Sequence, residues 1–333
     1  MKYASPKILI IAPAWLGDMV MAHSLIQVLH AREDSPRISI LAPASTLQIT
    51  ELMPEIQHRF LMPAGHGQFG MKARFQLARQ LRADHFDEAY VLPNTWKSAL
   101  IPFLARIPKR IGWKGEHRYL LLNDLCHHVE QFPLMVERYV ALSKEIAPFP
   151  FPHLVVPETL RQSVKDRFNL DLTRPILILS PGAAFGPAKR WPTEYFAELA
   201  TVKLDAGAQV LIIGGKTEIP LTEEIKAIEP RVQSFVGQTS LLEMAAILSY
   251  ATEVLTNDSG PMHIAASLGV PTFAIFGSSS PGFTPPLGEK THIIEKQGLS
   301  CRPCFQRECP LKHLACLKDI SPQEVLAKMA AAS

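Results

Sequence analysis

A loop in the second half of the chain combines residue types that suit a phosphorylated ligand. The segment SPGAAFGPAKRWP (180–192) follows an apolar run, is rich in Gly and Ala, and ends on Lys189 and Arg190. Small residues let a backbone approach a ligand closely, and positive charge beside backbone amides suits a phosphate. The sequence therefore places Gly182 and Lys189 in a candidate phosphate-binding loop.

A second segment, TNDSGPMHIAASLG (256–269), predicts a strand that ends at a helix N-terminus. The start of a helix attracts anions, so Ser259 and Gly260 are candidates for binding a pyrophosphate. Asp258 repels a phosphate and suits sugar hydroxyls or holding the loop. The same residues also fit ordinary turn and cap chemistry, and His263 fits either a packed histidine or an active group.

A third candidate lies near the start of the chain, in PAWLGDMVMAHSL (13–25). The apolar run before it predicts a buried strand, and apolar residues at helical spacing after it predict a helix. Asp18 then sits in the first turn of that helix. A carboxylate there can cap the helix, or it can act as a base if other reactive groups face it.

These candidates are positioned by two series of apolar runs that alternate with helical patterns. The runs are KILIIAP, RISILAP and EAYVLPN in the first half, then PILILSPG, AQVLIIGG, EVLTND and TFAIFG. The alternation predicts an α/β fold of doubly wound parallel sheets. A proline-rich stretch, 147–158, separates the series, so we predict domains at 1–155 and 156–333 whose strand ends face a shared cleft.

Composition and missing motifs exclude several classes of protein. Of 333 residues, 47% are hydrophobic and 20% charged, which is typical of a globular protein. No apolar stretch is long enough to span a membrane, and the N-terminal sequence lacks the features of a signal peptide. We therefore expect a cytoplasmic protein. A net charge of +3 gives no support for nucleic-acid binding. The dinucleotide fingerprint G-x-G-x-x-G and the P-loop are both missing from the expected places.

Taken together, the motifs resemble those of the ADP-heptose:lipopolysaccharide heptosyltransferases, glycosyltransferase family 9. The family pattern has a Gly-Asp that opens the first helix, a K-x-W segment and D-S/T-G-x-x-H. These correspond here to Gly17-Asp18, Lys189–Trp191 and Asp258–His263. The resemblance covers nearly the whole chain and implies a GT-B fold. The stretches VLPNTWKSAL, IGWKGEHRYLLLND and PLMVERY are most like the heptosyltransferase II branch.

The resemblance implies inverting, metal-independent transfer of heptose from ADP-heptose to the first heptose of heptosyl-Kdo2-lipid A, without a required cofactor. Asp18 would take the acceptor proton and Lys189 would neutralise the leaving diphosphate. Glu218 would hold the ribose, and Thr239 would lie near the adenine. The donor-binding residues implied in this way are Gly182, Lys189, Glu218, Thr239, Asp258, Ser259, Gly260 and His263.

Basic residues concentrate between positions 97 and 118, where Glu116 is the single acidic residue. Such a run is by default a solvated face. The implied acceptor carries carboxylates and phosphates, which Arg and Lys recognise, so we predict that it is bound here. The candidates are Lys97, Arg110, Lys114 and Arg118. The same charges would favour peripheral contact with the cytoplasmic face of the inner membrane.

Four of the five cysteines crowd into CRPCFQRECPLKHLAC (301–316). Cys301, Cys304, Cys309 and Cys316 fit either a structural zinc site or reduced thiols in a packed loop. Nothing in the sequence ties this segment to the candidate donor site, so a catalytic metal is not expected. The isolated Cys126 fits a small buried residue.

Three other functions remain open at the level of sequence. The chain can be a heptosyltransferase I that acts on Kdo2-lipid A. It can also use another nucleotide sugar, as a transferase or an epimerase with the same fold. A third possibility is a nucleotide-sugar-binding protein without catalysis.

Overall fold

A computed structural model describes residues 5–63, 70–144 and 148–332. The chain divides into two compact units, Met1–Pro152 and His153–Ser333, against a predicted division after residue 155. The first residue of the proline-rich stretch, 147, lies outside the described ranges.

The first unit is built on a six-stranded parallel sheet with the order β3-β2-β1-β4-β5-β6. Its strands are β1 (Lys7–Ile11), β2 (Arg37–Ala42), β3 (Ile56–Leu61), β4 (Glu88–Val91), β5 (Lys109–Trp113) and β6 (Asp124–Cys126). Its helices are α1 (Leu16–His30), α2 (Ala44–Leu47), α3 (Met71–Ala83), α4 (Trp96–Leu104) and α5 (Met135–Val140), with short 3-10 turns at Gln48–Leu52, Val129–Gln131 and Ala141–Ser143.

The second unit repeats this plan with a parallel sheet in the order β12-β11-β10-β7-β8-β9. Its strands are β7 (Ile176–Ser180), β8 (Gln209–Ile212), β9 (Gln233–Ser234), β10 (Glu253–Asn257), β11 (Thr272–Phe276) and β12 (Thr291–Glu295). Its helices are α6 (Glu158–Phe168), α7 (Thr193–Asp205), α8 (Ile219–Ile228), α9 (Leu241–Leu248), α10 (Gly260–Ser267), α11 (Ala315–Lys318) and α12 (Pro322–Ala332), with 3-10 turns at Pro187–Lys189 and Lys216–Glu218.

The apolar runs form the central strands because helices cover both faces of each sheet. All seven predicted strands are confirmed, and the doubly wound α/β class with them. Ile11 and Val91 are buried in the core of the first unit, and Phe196 and Phe273 in that of the second. Five further strands, β3, β5, β6, β9 and β12, were not predicted from the sequence. None of the described helices is long and apolar enough to cross a membrane.

Strand order determines where each unit can hold a ligand. β1 lies between β2 and β4, and β7 lies between β8 and β10. At such a switch point, the loops that leave the two adjacent strand ends diverge to opposite faces of the sheet and open a crevice. Asp18 follows β1, Lys189 follows β7, and Asp258 directly follows β10. The topology thus brings each candidate residue to the crevice of its own sheet.

Candidate active site

Lys189, Asp258 and Ser279 form a compact polar cluster at the crevice of the second unit. The Lys189 Nζ lies 2.5 Å from the Asp258 Oδ2, and the Ser279 hydroxyl donates to the same oxygen at 2.5 Å. The Asp258 side chain is 4% exposed and that of Lys189 is 15% exposed. Buried charges persist when they are paired in this way. An ammonium has three N–H donors, so Lys189 can contact Asp258 and a ligand oxygen together.

Helix α10 begins two residues after Asp258, and its positive end lies at this cluster. Ser259 is the N-cap residue in an extended conformation, and Gly260 is the first helical residue. The dipole of an eight-residue helix and the Lys189 ammonium both favour a bound anion here. The predicted pyrophosphate site therefore combines two sources of positive charge in the structure.

His263, in the first turns of α10, is buried beneath the same cluster. Burial lowers the pKa of His263 to about 4, and the charge of Lys189 also lowers it, whereas Asp258 raises it. The imidazole is therefore neutral at physiological pH. Whether it contacts a donor substrate stays a prediction.

The Glu218 carboxylate lies between two glycines that follow β7 and β8, Gly182 and Gly214. A Cβ atom added to Gly182 would lie 1.9 Å from its Oε1, and one added to Gly214 would lie 2.1 Å from its Oε2. The amide of Gly215 donates to Oε2 at 2.6 Å. Burial raises the pKa of the Glu218 carboxyl, while the Gly215 hydrogen bond and the Arg190 charge act in the opposite direction. Gly182, predicted to approach the donor, thus makes room for Glu218.

Thr239 lies in the turn between β9 and α9. Its Oγ1 atom is buried and has no hydrogen-bond partner among the described residues. A buried hydroxyl left in this state costs about 1 to 3 kcal/mol, which a ligand could offset by bonding to it. The adjacent Ser240 caps α9 through a reciprocal bond pair with Glu243.

Two residues that hold the cluster together, Asn257 and Ser279, were not predicted from the sequence. The Asn257 side chain is fully buried, donates to the Pro181 carbonyl at 2.7 Å and accepts from the Trp191 amide at 3.0 Å. It thereby ties the loop after β7 to the end of β10. Asn257 immediately precedes Asp258 in the quoted motif, whereas Ser279, from a run of three serines after β11, gave no comparable signal.

In the first unit, Asp18 is the third residue of α1 and is half-buried. The N-cap residue Trp15 makes no side-chain hydrogen bond to the helix. Asp18 is the acidic residue of the first turn, where its negative charge interacts favourably with the positive end of the helix dipole. Helix α5 packs against α1 and brings Tyr139 close to this carboxylate. Burial first, and then the charge of Asp18, raise the pKa of Tyr139 well above its ordinary value. Tyr139 was not predicted from the sequence as a neighbour of Asp18.

The predicted acceptor residues have different surroundings. Arg118 is 1% exposed and donates to the Pro93 carbonyl at 2.7 Å, to the Asn94 side chain at 3.2 Å and to the Trp113 carbonyl. Arg118 therefore organises the loops that follow β4 and β5. An acceptor contact for it stays a prediction.

The other three predicted acceptor residues lie nearer the surface. The half-exposed Arg110 donates to the carbonyls of Leu121 at 2.7 Å and Ile107 at 2.5 Å. Lys97 is half-buried in the first turn of α4, and Lys114 is exposed after β5. Lys114 is thus the most accessible of the four predicted acceptor residues.

The cysteine segment, residues 301–316, packs against the loop that carries Lys189. The Ala188 amide donates to the Arg307 carbonyl at 3.0 Å, and the Phe305 amide donates to the Ser278 carbonyl at 2.8 Å. The expectation that nothing ties this segment to the donor site is therefore wrong, because these contacts join residues that are distant in sequence. In the described part of the chain, no three His, Cys, Asp or Glu side chains are already spaced to hold a metal ion.

Comparison with known proteins gives consistent matches over nearly all of the chain. Residues 74–315 match glycosyltransferase family 9 (heptosyltransferase). Lipopolysaccharide heptosyltransferase 2 of Escherichia coli K12 is 39% identical over 97% of both chains. Lipooligosaccharide heptosyltransferase 2 of Haemophilus influenzae is 43% identical over 86% of this chain and 88% of its own. The structure of E. coli ADP-heptose LPS heptosyltransferase II superposes with a TM-score of 0.87, at 37% identity over 98% of each chain.

Proposed function

The chain belongs to glycosyltransferase family 9, and from this premise we propose that it moves L-glycero-D-manno-heptose from ADP-heptose to the first heptose of heptosyl-Kdo2-lipid A. The observation that carries the proposal is the 39% identity to a lipopolysaccharide heptosyltransferase 2 over 97% of both chains. The GT-B fold is shared with E. coli heptosyltransferase II. The polar cluster at the second switch point supplies the chemistry that a nucleotide-sugar donor requires.

On the donor side, Lys189 and the N-terminus of α10 receive the negative charge that develops on the departing diphosphate. Both lie at the crevice of the second sheet, where this charge is stabilised most strongly because little solvent screens it. Asp258 holds Lys189 in position and offers its remaining carboxylate capacity to a sugar hydroxyl. No metal ion takes part in this mechanism.

The nucleoside part of the donor is bound by the loops after β8 and β9. The Glu218 carboxylate, which lies between Gly182 and Gly214, accepts hydrogen bonds from the ribose hydroxyls. The Thr239 hydroxyl, buried without a partner among the described residues, bonds to the adenine. Both contacts give a hydrogen-bond partner to a buried polar group, whose burial would otherwise cost free energy.

On the acceptor side, Asp18 acts as the general base. Its carboxylate takes the proton of the attacking hydroxyl, and attack from the face opposite the diphosphate inverts the anomeric centre. Tyr139 stays protonated beside Asp18 because its pKa is raised. Lys97, Arg110, Lys114 and Arg118 are the basic residues assigned to the acceptor's anionic groups.

The decisive experiment incubates wild-type and Asp18→Asn protein with ADP-heptose and heptosyl-Kdo2-lipid A, and follows ADP release and acceptor mass. We expect wild type to add one heptose and the variant to lose roughly 10²- to 10⁴-fold in rate while ADP still binds. A reaction with Kdo2-lipid A alone would instead identify a heptosyltransferase I. Binding of ADP-heptose without any transfer would favour the non-catalytic alternative.

We also propose that helix α3 rests on the anionic cytoplasmic face of the inner membrane, where a lipid acceptor resides. Lys72, Arg79 and Arg82 are exposed on α3, which carries no acidic residue. Phe75 is 56% exposed and Met71 46% exposed on the same helix. Apolar side chains among basic ones are typical of helices that lie in a membrane interface.

Vesicle sedimentation tests this contact. Each basic residue near an anionic surface adds about 1 kcal/mol, so Lys72→Glu with Arg79→Glu should weaken binding to phosphatidylglycerol vesicles more than tenfold. Lys290→Glu, an exposed charge reversal in the second unit, is the control and should bind as wild type. Equal binding of wild type to neutral phosphatidylcholine vesicles would contradict the proposal.

A further inference from the structure

The cysteine segment closes around a small cavity that its four thiols line. Cys301, Cys304, Cys309 and Cys316 face this cavity, together with Ala188 and Ser278 from the core of the second unit. All four are free thiols and partly exposed. Four free thiols around one cavity are the composition of a metal site.

The loop after Cys309 turns back on that residue, because the Lys312 amide donates to the Cys309 carbonyl at 3.1 Å. The C-x-x-C pair at the start of the segment, Cys301 and Cys304, provides the clasp that tetrahedral zinc sites use.

Positive charge stands close to the cavity. Arg302 is 9% exposed at its side chain, pairs with Glu295 at 2.6 Å and donates to the Gly277 carbonyl at 2.8 Å. The Arg302 side chain lines the cavity and offsets part of the negative charge that four thiolates carry around a divalent ion.

We propose that the four thiols of the cysteine segment bind one structural zinc ion, which fixes the loop that carries Lys189. Four sulfur ligands complete a tetrahedral zinc site and leave no position for substrate, so the role is structural. Because no such group within the described ranges is already spaced for a metal, binding requires the four thiols to move closer together.

The segment reaches the donor site through its backbone. Besides the two bonds from Ala188 and Phe305, a Cβ added to Gly186 would lie 2.4 Å from the Arg307 carbonyl oxygen. The Lys189 Nζ lies 5.0 Å from the centre of the Phe185 ring, which Arg307 also contacts. The cysteine segment thus packs against the loop that carries Lys189. If the segment loses its order, Lys189 is no longer held in a fixed position.

Metal content tests the site directly. Untagged protein, purified without chelators, is analysed for zinc, iron, cobalt and nickel by inductively coupled plasma mass spectrometry. We expect about one zinc per chain in wild type and in the matched control Cys126→Ser, and less than a tenth of that in Cys304→Ser. Absence of zinc, or stoichiometric iron in its place, would overturn the assignment.

A second measurement covers the case in which Cys304→Ser does not fold. Titration of the native wild-type protein with an organomercurial should release the zinc as thiols are consumed. Cobalt-substituted wild type should show the intense absorption of tetrahedral thiolate coordination. If all thiols of the freshly purified protein react rapidly without releasing zinc, the proposal fails.

The positioning role is tested by ADP affinity, a readout that rests on the proposed function, whereas metal content does not. Wild type depleted of zinc should bind ADP at least tenfold more weakly, and restored zinc should recover the affinity. An unchanged Kd after depletion would refute the positioning role. A protein that contains zinc yet transfers no heptose would leave the metal site standing and refute the proposed function.

Discussion

Removal of the Lys189 ammonium should destabilise the second unit as well as its ligand site. In Lys189→Ala, the Asp258 carboxylate, which is 4% exposed in wild type, loses its ion partner, while the Ser279 hydroxyl remains on the same oxygen. Breaking a buried pair from one side costs about 3 to 5 kcal/mol. Because the Lys189 side chain is 15% exposed and water can replace it in part, we expect about 3 kcal/mol. That is roughly a hundredfold in the folding equilibrium.

The double variant Lys189→Met with Asp258→Asn separates stability from binding. It removes both charges at similar volume, and replacing a whole buried pair is often close to neutral. Its free energy of unfolding in urea should return to within about 1 kcal/mol of wild type. Its affinity for ADP, measured by calorimetry, should stay roughly ten- to a hundredfold weaker, because a charge-assisted phosphate bond is still missing.

Lys203→Ala is the matched control, since Lys203 pairs with Glu253 at 2.6 Å in the same unit. That pair is more exposed, at 20% and 14%, so its loss should cost less, and ADP affinity should not change. A Lys189→Ala protein as stable as wild type would refute the burial argument. A double variant with wild-type ADP affinity would refute the assignment of Lys189 to the diphosphate.

Three further changes test other parts of the structure. Gly182→Ala places a Cβ 1.9 Å from the Glu218 carboxylate, so we expect weaker ADP binding and a loss of about 1 to 3 kcal/mol in stability, with the stability restored when Glu218→Ala is added. The pKa of His263 is lowered to about 4, so its contribution to stability is present above pH 6.5 and lost as the pH falls toward 4. Urea unfolding across this window should show a loss of about 3 kcal/mol in wild type that His263→Gln lacks. Arg118→Met leaves buried carbonyls without donors and should cost about 2 to 4 kcal/mol in unfolding free energy. An Arg118→Met protein with wild-type stability but poor acceptor binding would instead favour the acceptor role.

Central strands could be predicted from the sequence because burial on both faces leaves a continuous apolar run. β1 and β7 show this pattern, with nearly every residue buried. Edge strands such as β3 and β12 are partly exposed and mix polar with apolar residues, so no apolar run marks them. They are strands because a neighbour supplies their hydrogen bonds, which is information outside their own residues.

The candidate site divides in the same way. Lys189 and Asp258 lie in loops with recognisable composition, and the structure brings them together. Their partner Ser279 comes from a third loop, and only the strand order makes the three adjacent. Arg118 could not be distinguished from an exposed basic residue, because its burial depends on how the loops after β4 and β5 fold around it.

The side chain of Asn257 gives the donor site an intrinsic reporter of its order. The amide proton of Trp191 is held by a residue 66 positions away, not by the regular bonding of a helix or strand. Its exchange with deuterated solvent therefore requires the loop after β7 to separate from the end of β10. Slow exchange at this amide would show that this separation is rare, and the exchange rate would give the free energy of the opening. Protection there could then be followed without any substrate.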